Sequence, residues 1–237
     1  MSKVAIVAAL EREVRPLIKG WRLVQKEYDG RSFRFFEKEN FVLVCGGVGG
    51  QAARRTAEAV IAMYQPAIVY SAGFAGALHS SLKVGEIVRP GRVVNASDGS
   101  SVALNGSDGV LVSFASVASP AQKAKLRESF GARAVDMEAA AVAHAAEAHG
   151  IALGVVKAIS DEVNFELPPM ERFVDSEGRF SEGRFAWFAA VRPWIWAGVF
   201  RLARNSGRAS RALCASLRDL NVEPSLVSGP VHPPASM

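Results

Sequence analysis

AVDMEAAAVAHAAEAHGIALGVVKAISDE, residues Ala134 to Glu162, joins two element types in one unit with acids at both ends. Met137 to His149 is alanine-rich and free of Gly and Pro, which predicts a helix whose small side chains allow close packing. Gly150 ends it. Ile151 to Ile159 is an apolar run of strand length, suited to a strand covered on both faces as in a parallel sheet. Ser160, Asp161 and Glu162 follow at its carboxyl end, outside which ligands bind in open α/β sheets. Asp161 is thus a candidate for chemistry, and Glu138 at the helix start can face the same crevice.

Working outward, Val4 to Leu10 is a short apolar strand, and Glu11 opens a helix with acids in its first turn. Phe33 to Glu37 and Phe41 to Val44 flank Glu39-Asn40 as a hairpin. Gly46 to Gly50 turns that second strand into a helix running through Thr56 to Tyr64 and closed by Pro66. Lacking a Walker lysine or a full dinucleotide fingerprint, these glycines read as steric rather than phosphate-binding. Ala67 to Ser71 is another buried strand, and Gly73 and Gly76 at its end permit close backbone approach to a ligand. Leu82 to Val94 alternates as a strand, Asn95 to Asp108 is a polar, mobile loop, and Gly109 to Ala118 is a further strand. Ser119 and Pro120 then cap and open a helix. The alternation predicts an α/β fold, a mostly parallel mixed sheet flanked by helices in three layers.

With 237 residues, 49% of them hydrophobic and 22% charged, the chain reads as globular, with residues 1–220 forming one domain and 221–237, rich in Pro and Ser, a disordered end. Two cysteines, Cys45 in an apolar strand and Cys214 near the C-terminus, suggest neither a disulfide framework nor a zinc site. Glu11, Arg12 and Glu13 interrupt the apolar start too early for a signal peptide, and no run reaches membrane-spanning length, so a cytoplasmic location is expected. The net charge is +5, and seven arginines fall between Arg184 and Arg218. Trp187, Trp194 and Trp196 lie in the same segment, with Pro193 splitting it. It reads as a core helix pair, as a helix for a partner, or as an amphipathic segment making peripheral contact with a membrane.

Ala134-Val-Asp-Met-Glu-Ala and Ala158-Ile-Ser-Asp resemble the purine nucleoside phosphorylase and nucleosidase superfamily, most nearly its 5'-methylthioadenosine/S-adenosylhomocysteine nucleosidase branch. Val4-Ala-Ile-Val-Ala-Ala-Leu-Glu-Arg-Glu-Val, Gly46-Gly-Val-Gly-Gly-Gln-Ala-Ala, and Ser71-Ala-Gly-Phe-Ala-Gly-Ala-Leu leading into Leu82-Lys-Val-Gly-Glu-Ile-Val agree with it in order. The resemblance implies a nucleoside phosphorylase-like fold, cleavage of a purine N-glycosidic bond, a small-molecule nucleoside as partner, a homo-oligomer, and no nucleic acid. It calls for no metal and no cofactor, with phosphate as co-substrate only in a phosphorylase. Asp161 falls at the general-acid position, oriented by Ser160; alone it would read as a helix N-cap. Glu138 matches the glutamate that bonds the ribose hydroxyls, and Met137 the methionine under the sugar. Val117 and Ala118 lie near the segment that holds the base. No aromatic stands there, which leaves Phe114 or Phe165 as stacking candidates.

Glu13 matches the nucleosidase glutamate that activates water, while Arg12 sits near where phosphorylases place a phosphate-binding arginine. A second phosphorylase arginine would fall close to Ala72 and is missing; Arg89 and Arg92 would have to substitute. Hydrolysis is favoured. Two departures bear on substrate: Phe74 replaces a serine near the sugar, and the span from Val88 to Val135 is shorter than in the family. The short span and basic aromatic tail resemble, more loosely, phosphorylase relatives associated with hopanoid lipid synthesis, which implies phosphorolysis of an adenosyl lipid as an alternative. A non-catalytic nucleoside-binding or membrane-surface protein is the other.

Overall fold

The computed structural model describes residues 2–165, 173, 175, 178, 180–190, 192 and 195–220. Pro193 and the terminal stretch 221–237 lie outside the described residues. The chain runs β1 (Val4–Ala8), α1 (Glu11–Ile18), β2 (Arg22–Tyr28), β3 (Arg31–Lys38), β4 (Phe41–Cys45), α2 (Gly50–Tyr64), β5 (Ile68–Ala77) and β6 (Ile87–Val88). It continues through β7 (Arg92–Asn95), β8 (Ser101–Ala103), β9 (Val110–Ser113), α3 (Pro120–Phe130), β10 (Ala132–Asp136), α4 (Ala139–Ala148), β11 (Ala152–Asp161), α5 (Glu182–Ala190) and α6 (Trp196–Arg218).

All the strands join one mixed sheet, in which β1 pairs in parallel with β4 and β5, and β11 in parallel with β5. Antiparallel pairs include the β2–β3–β4 meander and the β7–β8 hairpin. Alternation along β1 sends Ile6 and Ala8 to one face, against Leu17 of α1 and Leu213 and Leu217 of α6. Ala5 and Val7 face the other, with Ala57 and Val60 of α2 and Val142 of α4. Helices therefore cover both faces, as the near-continuous apolar strands require. Burying each such Val or Leu is worth about 1.5–3 kcal/mol.

The C-terminal half of α6, with Leu213, Cys214 and Leu217 buried, is core, whereas Trp196 and Phe200 in its first turns are exposed. Among the described residues no helix is long and apolar enough to cross a membrane.

The elements differ from the sequence reading in several places. The strand expected over Gly109 to Ala118 is confined to Val110–Ser113, because its pairing with β7 and β10 ends at Ser113 and the chain continues to Ala118 as a loop. Instead of ending before Gly73 and Gly76, β5 runs through both, because β11 pairs with it along its whole length. Leu82 to Val94 is not one strand: Pro90 and Gly91 separate β6 from β7. The polar Asn95 to Asp108 stretch is not wholly loop, since its Ser101–Ala103 pairs with β7. Arg22–Tyr28 is an additional strand whose mostly exposed face hides it from an apolar pattern.

What positions the site is a parting in the sheet. The edge of β5 that pairs with β1 up to Ser71 pairs with β10 from Gly76 onward, so β1 and β10 diverge and leave a crevice at their carboxyl ends. A register slip between Ile159 and Asp161 in β11 buries both Ser160 and Asp161, a bulge of the kind that re-aims side chains beside active sites.

Candidate active site

A cavity of about 500 Å3 fills this crevice. The first turn of α1 brings Arg12 and Glu13, and the β5 strand brings Phe74. The loop after β9 brings Val117 and Ala118, the end of β10 brings Met137 and Glu138, and β11 brings Ser160 and Asp161. These nine residues, all expected from the sequence, thus reach one cavity, although they are drawn from positions 12 to 161.

The stacking candidates fall elsewhere. Phe114 packs against the core cluster that contains Leu78 and Leu126, and Phe165 borders a separate pocket under Arg201, whose guanidinium carbon is 4.3 Å from the ring centre. Phe74 and Phe180 are the aromatic rings that line the cavity among the described residues, and Arg12 lies over Phe180 at 4.7 Å. Arg89 and Arg92 are exposed and do not line it; Arg89 donates to Ser216 at 2.7 Å.

Asp161 is 3% exposed and has donors on both oxygens. Ser160 Oγ donates to its Oδ1 at 2.7 Å, and Lys123 Nζ donates to its Oδ2. Lys123, itself 1% exposed, also donates to the Glu162 carbonyl at 2.9 Å. A Cβ at Gly76 would stand 2.9 Å from Asp161 Oδ2, so this glycine makes room for a carboxylate of the chain itself. Gly73 does the same for Glu13, whose Oε2 would lie 3.0 Å from an added Cβ.

At the end of β10, Asp136 accepts from Ser113 Oγ at 2.6 Å, from the Ala139 N–H at 2.8 Å and from Lys157 Nζ at 2.8 Å. It thereby satisfies the first N–H of α4 and neutralises a lysine buried in the middle of β11. Burial works against the charge on Lys157, but Asp136, Glu138 and Glu13 outweigh it and hold its ammonium more firmly protonated than usual. Glu138 Oε1 accepts the Gly49 N–H at 2.9 Å, so the glycine turn that reads as steric does meet an anion, one supplied by the chain. Enclosure in the cavity, with Asp136 nearby, raises the Glu138 carboxyl, Lys157 opposing.

Glu13 differs from the other acids. Its Oε2 is buried and has no hydrogen-bond partner among the described residues. Burial, reinforced by Glu138 and opposed by Lys157 and Arg12, pushes its carboxyl from 4.5 up to about 8. Such a group is poised to take or give a proton near neutral pH. Four carboxyl groups, those of Glu13, Asp136, Glu138 and Asp161, line the cavity beside two cationic side chains, Arg12 and Lys123, among the described residues.

No local pattern in the sequence marks Lys123 or Phe180. Lys157 carries a visible signal, a single charge inside an apolar strand.

A family model for the phosphorylase superfamily matches residues 3–120 and 107–184, well over half of the chain. The chain belongs to the phosphorylase superfamily. Within it, the chain is 30% identical over 95 residues to a 5'-methylthioadenosine/S-adenosylhomocysteine nucleosidase of Buchnera aphidicola, covering 37% of this chain and 39% of the relative. It is 30% identical over 89 residues to the enzyme of that name from Bacillus licheniformis, covering 36% of this chain and 38% of the relative. It thus matches under half the length of either. The superfamily fold extends further. The Neisseria meningitidis nucleosidase in complex with methylthio-immucillin-A superposes with a TM-score of 0.68 at 18% identity, covering 92% of this chain and 97% of that one. A Helicobacter pylori futalosine hydrolase gives 0.64 at 19%, covering 92% and 98%.

Proposed function

We propose that the protein hydrolyses the N-glycosidic bond of an adenosine-type purine nucleoside and releases the base. The observation that carries this reading is the set of carboxyl groups around one cavity, with the Glu13 Oε2 buried and unpartnered among the described residues. Cleavage of this bond builds positive charge on the sugar and negative charge on the departing base. Carboxylates around the sugar favour the first, and a proton delivered to the base at N7 relieves the second.

In this reading Asp161 protonates the base, Ser160 fixes its rotamer, and the main chain at Val117 and Ala118 borders the base. Glu138 accepts the ribose hydroxyls while the Gly49 N–H holds its other side, and Met137 packs against the sugar. Glu13 takes the proton from the attacking water, so that a C1'–O bond forms as the C1'–N9 bond breaks and its electron pair leaves with the base. Phosphate as nucleophile fits less well, because the carboxyl groups outnumber the cations and Lys123 is already bound to Asp161.

A second reading concerns the 5' substituent. A groove of about 670 Å3 between α1 and α6 shares Arg12, Phe74 and Ser206 with the cavity and carries Arg15, Lys19 and Arg211 along its walls. It gives a long substituent a way out, and the exposed Trp187, Trp196 and Phe200 suit contact with a lipid surface. This supports an adenosyl lipid as an alternative substrate, with phosphorolysis through Arg12 as its chemistry.

Adenine release from adenosine, methylthioadenosine, adenosylhomocysteine and a long-chain 5'-alkyl adenosine, each with and without phosphate, tests both readings. Release without phosphate is expected. Strict dependence on phosphate would replace the water activated by Glu13 with phosphate held by Arg12, preference for the alkyl compound would select the lipid, and silence throughout would favour a binding protein.

A further inference from the structure

Lys123 is placed where a lysine is expensive. It lies in the first turn of α3, whose N-terminus is set by a capping box between Ser119 and Gln122 and by Pro120, and the positive end of the helix dipole disfavours a cation there. It is also 1% exposed, a burial that lysines reach only when paired. Its ammonium has three N–H donors, and the two resolved acceptors are Asp161 Oδ2 and the Glu162 carbonyl. Lys123 also lines the cavity.

The pairing bears directly on the acid step. With Ser160 Oγ donating to Oδ1 and Lys123 Nζ to Oδ2, Asp161 is arranged as an acceptor on both oxygens. A general acid must carry a proton, and the adjacent group that holds one is the Lys123 ammonium.

We propose that Lys123 supplies the proton that Asp161 delivers to the departing purine. The proposal rests on the nucleoside-cleaving reading above. The resting pair is ammonium and carboxylate. As the C1'–N9 bond breaks, its electron pair goes to the base, a Lys123 proton moves to Asp161 Oδ2, and Asp161 passes a proton to N7. The pair is left as neutral amine and carboxylate, one proton poorer. The water that adds to C1' gives its proton to Glu13, so the protein as a whole keeps its proton count, and exchange with solvent returns the protons to their starting places.

Lys123→Arg separates proton supply from charge pairing, because a guanidinium keeps the ion pair but does not surrender its proton in the working range. Turnover of the purine nucleoside by Lys123→Arg is expected to fall about 100-fold or more, with KM nearly unchanged. Turnover of 4-nitrophenyl riboside, whose nitrophenolate leaves without a proton, is expected to stay within about threefold of the parent. Lys123→Gln, which removes the charge but keeps a hydrogen-bond donor, is expected to show the same split. Full purine turnover by Lys123→Arg would overturn the proposal and leave Lys123 as an electrostatic prop. Equal loss on both substrates would overturn it in favour of a structural role. If the unaltered protein cleaves neither substrate, the nucleoside-cleaving reading falls and takes this role with it; an active parent confines any failure to Lys123.

Discussion

Asp161→Asn is expected to lower base release by about 10²–10⁴-fold while nucleoside still binds, because the amide keeps the shape of the side chain but has no acidic proton for the purine. Both bonds that fix Asp161 come from groups that remain in the variant, the Ser160 hydroxyl at 2.7 Å and the Lys123 ammonium. The price appears in stability. Removing one partner of a buried ion pair leaves the other charge uncompensated, so Asp161→Asn is also expected to lose about 3–5 kcal/mol of folding free energy. Nucleoside titration of the folded variant at low temperature separates the effects: undiminished binding with lost turnover supports the acid role, and unchanged turnover removes it.

Glu13→Gln is expected to be comparably severe, about 10²–10⁴-fold in hydrolysis, since the glutamine cannot accept the proton of the attacking water. The pH behaviour carries more information. With its carboxyl pushed up to about 8, Glu13 holds its proton at neutral pH in the free protein and becomes a base only as pH rises. The kcat/KM of the unaltered protein is therefore expected to climb through about pH 8, a limb absent from the residual activity of Glu13→Gln.

Stability should run the opposite way. Because the folded value lies above the ordinary 4.5, the contribution of Glu13 is fully present below that pH and is lost as pH rises through about 8. At about 1.4 kcal/mol per pH unit the full loss is at most about 5 kcal/mol. Glu13→Gln is expected to escape it, so its Tm relative to the parent should improve between pH 6 and pH 9. A parent whose rate is flat across that range, with a Tm difference that does not move, would contradict the assignment.

The parts of this molecule legible in its sequence are those where local chemistry and position coincide. The carboxyl end of β11 is readable because an apolar run stops at Ser160-Asp161, and the start of α3 because Ser119 and Pro120 are strong local signals that the capping box bears out. The parts that stayed hidden depend on partners far along the chain. Nothing around Lys123 in Ser119-Pro-Ala-Gln-Lys distinguishes it from a solvated helix lysine; it is buried because α3 packs on β9 and β10 and its side chain meets Asp161 at the end of β11, 38 positions later. Phe180 enters the cavity from a segment with no regular pattern, and β8 is a three-residue strand inside a polar stretch, held by β7 rather than by its own composition. Gly73 and Gly76 were readable as sites of close approach, but what approaches is a carboxylate of the same chain.

The origin of the oxygen that ends on the sugar is the most direct test of hydrolysis. Turnover in 18O-labelled water with phosphate present, followed by mass spectrometry of the sugar, should give a free sugar carrying one labelled oxygen and no sugar 1-phosphate. An unlabelled sugar 1-phosphate would contradict hydrolysis and place phosphate, held by Arg12, in the position assigned to water.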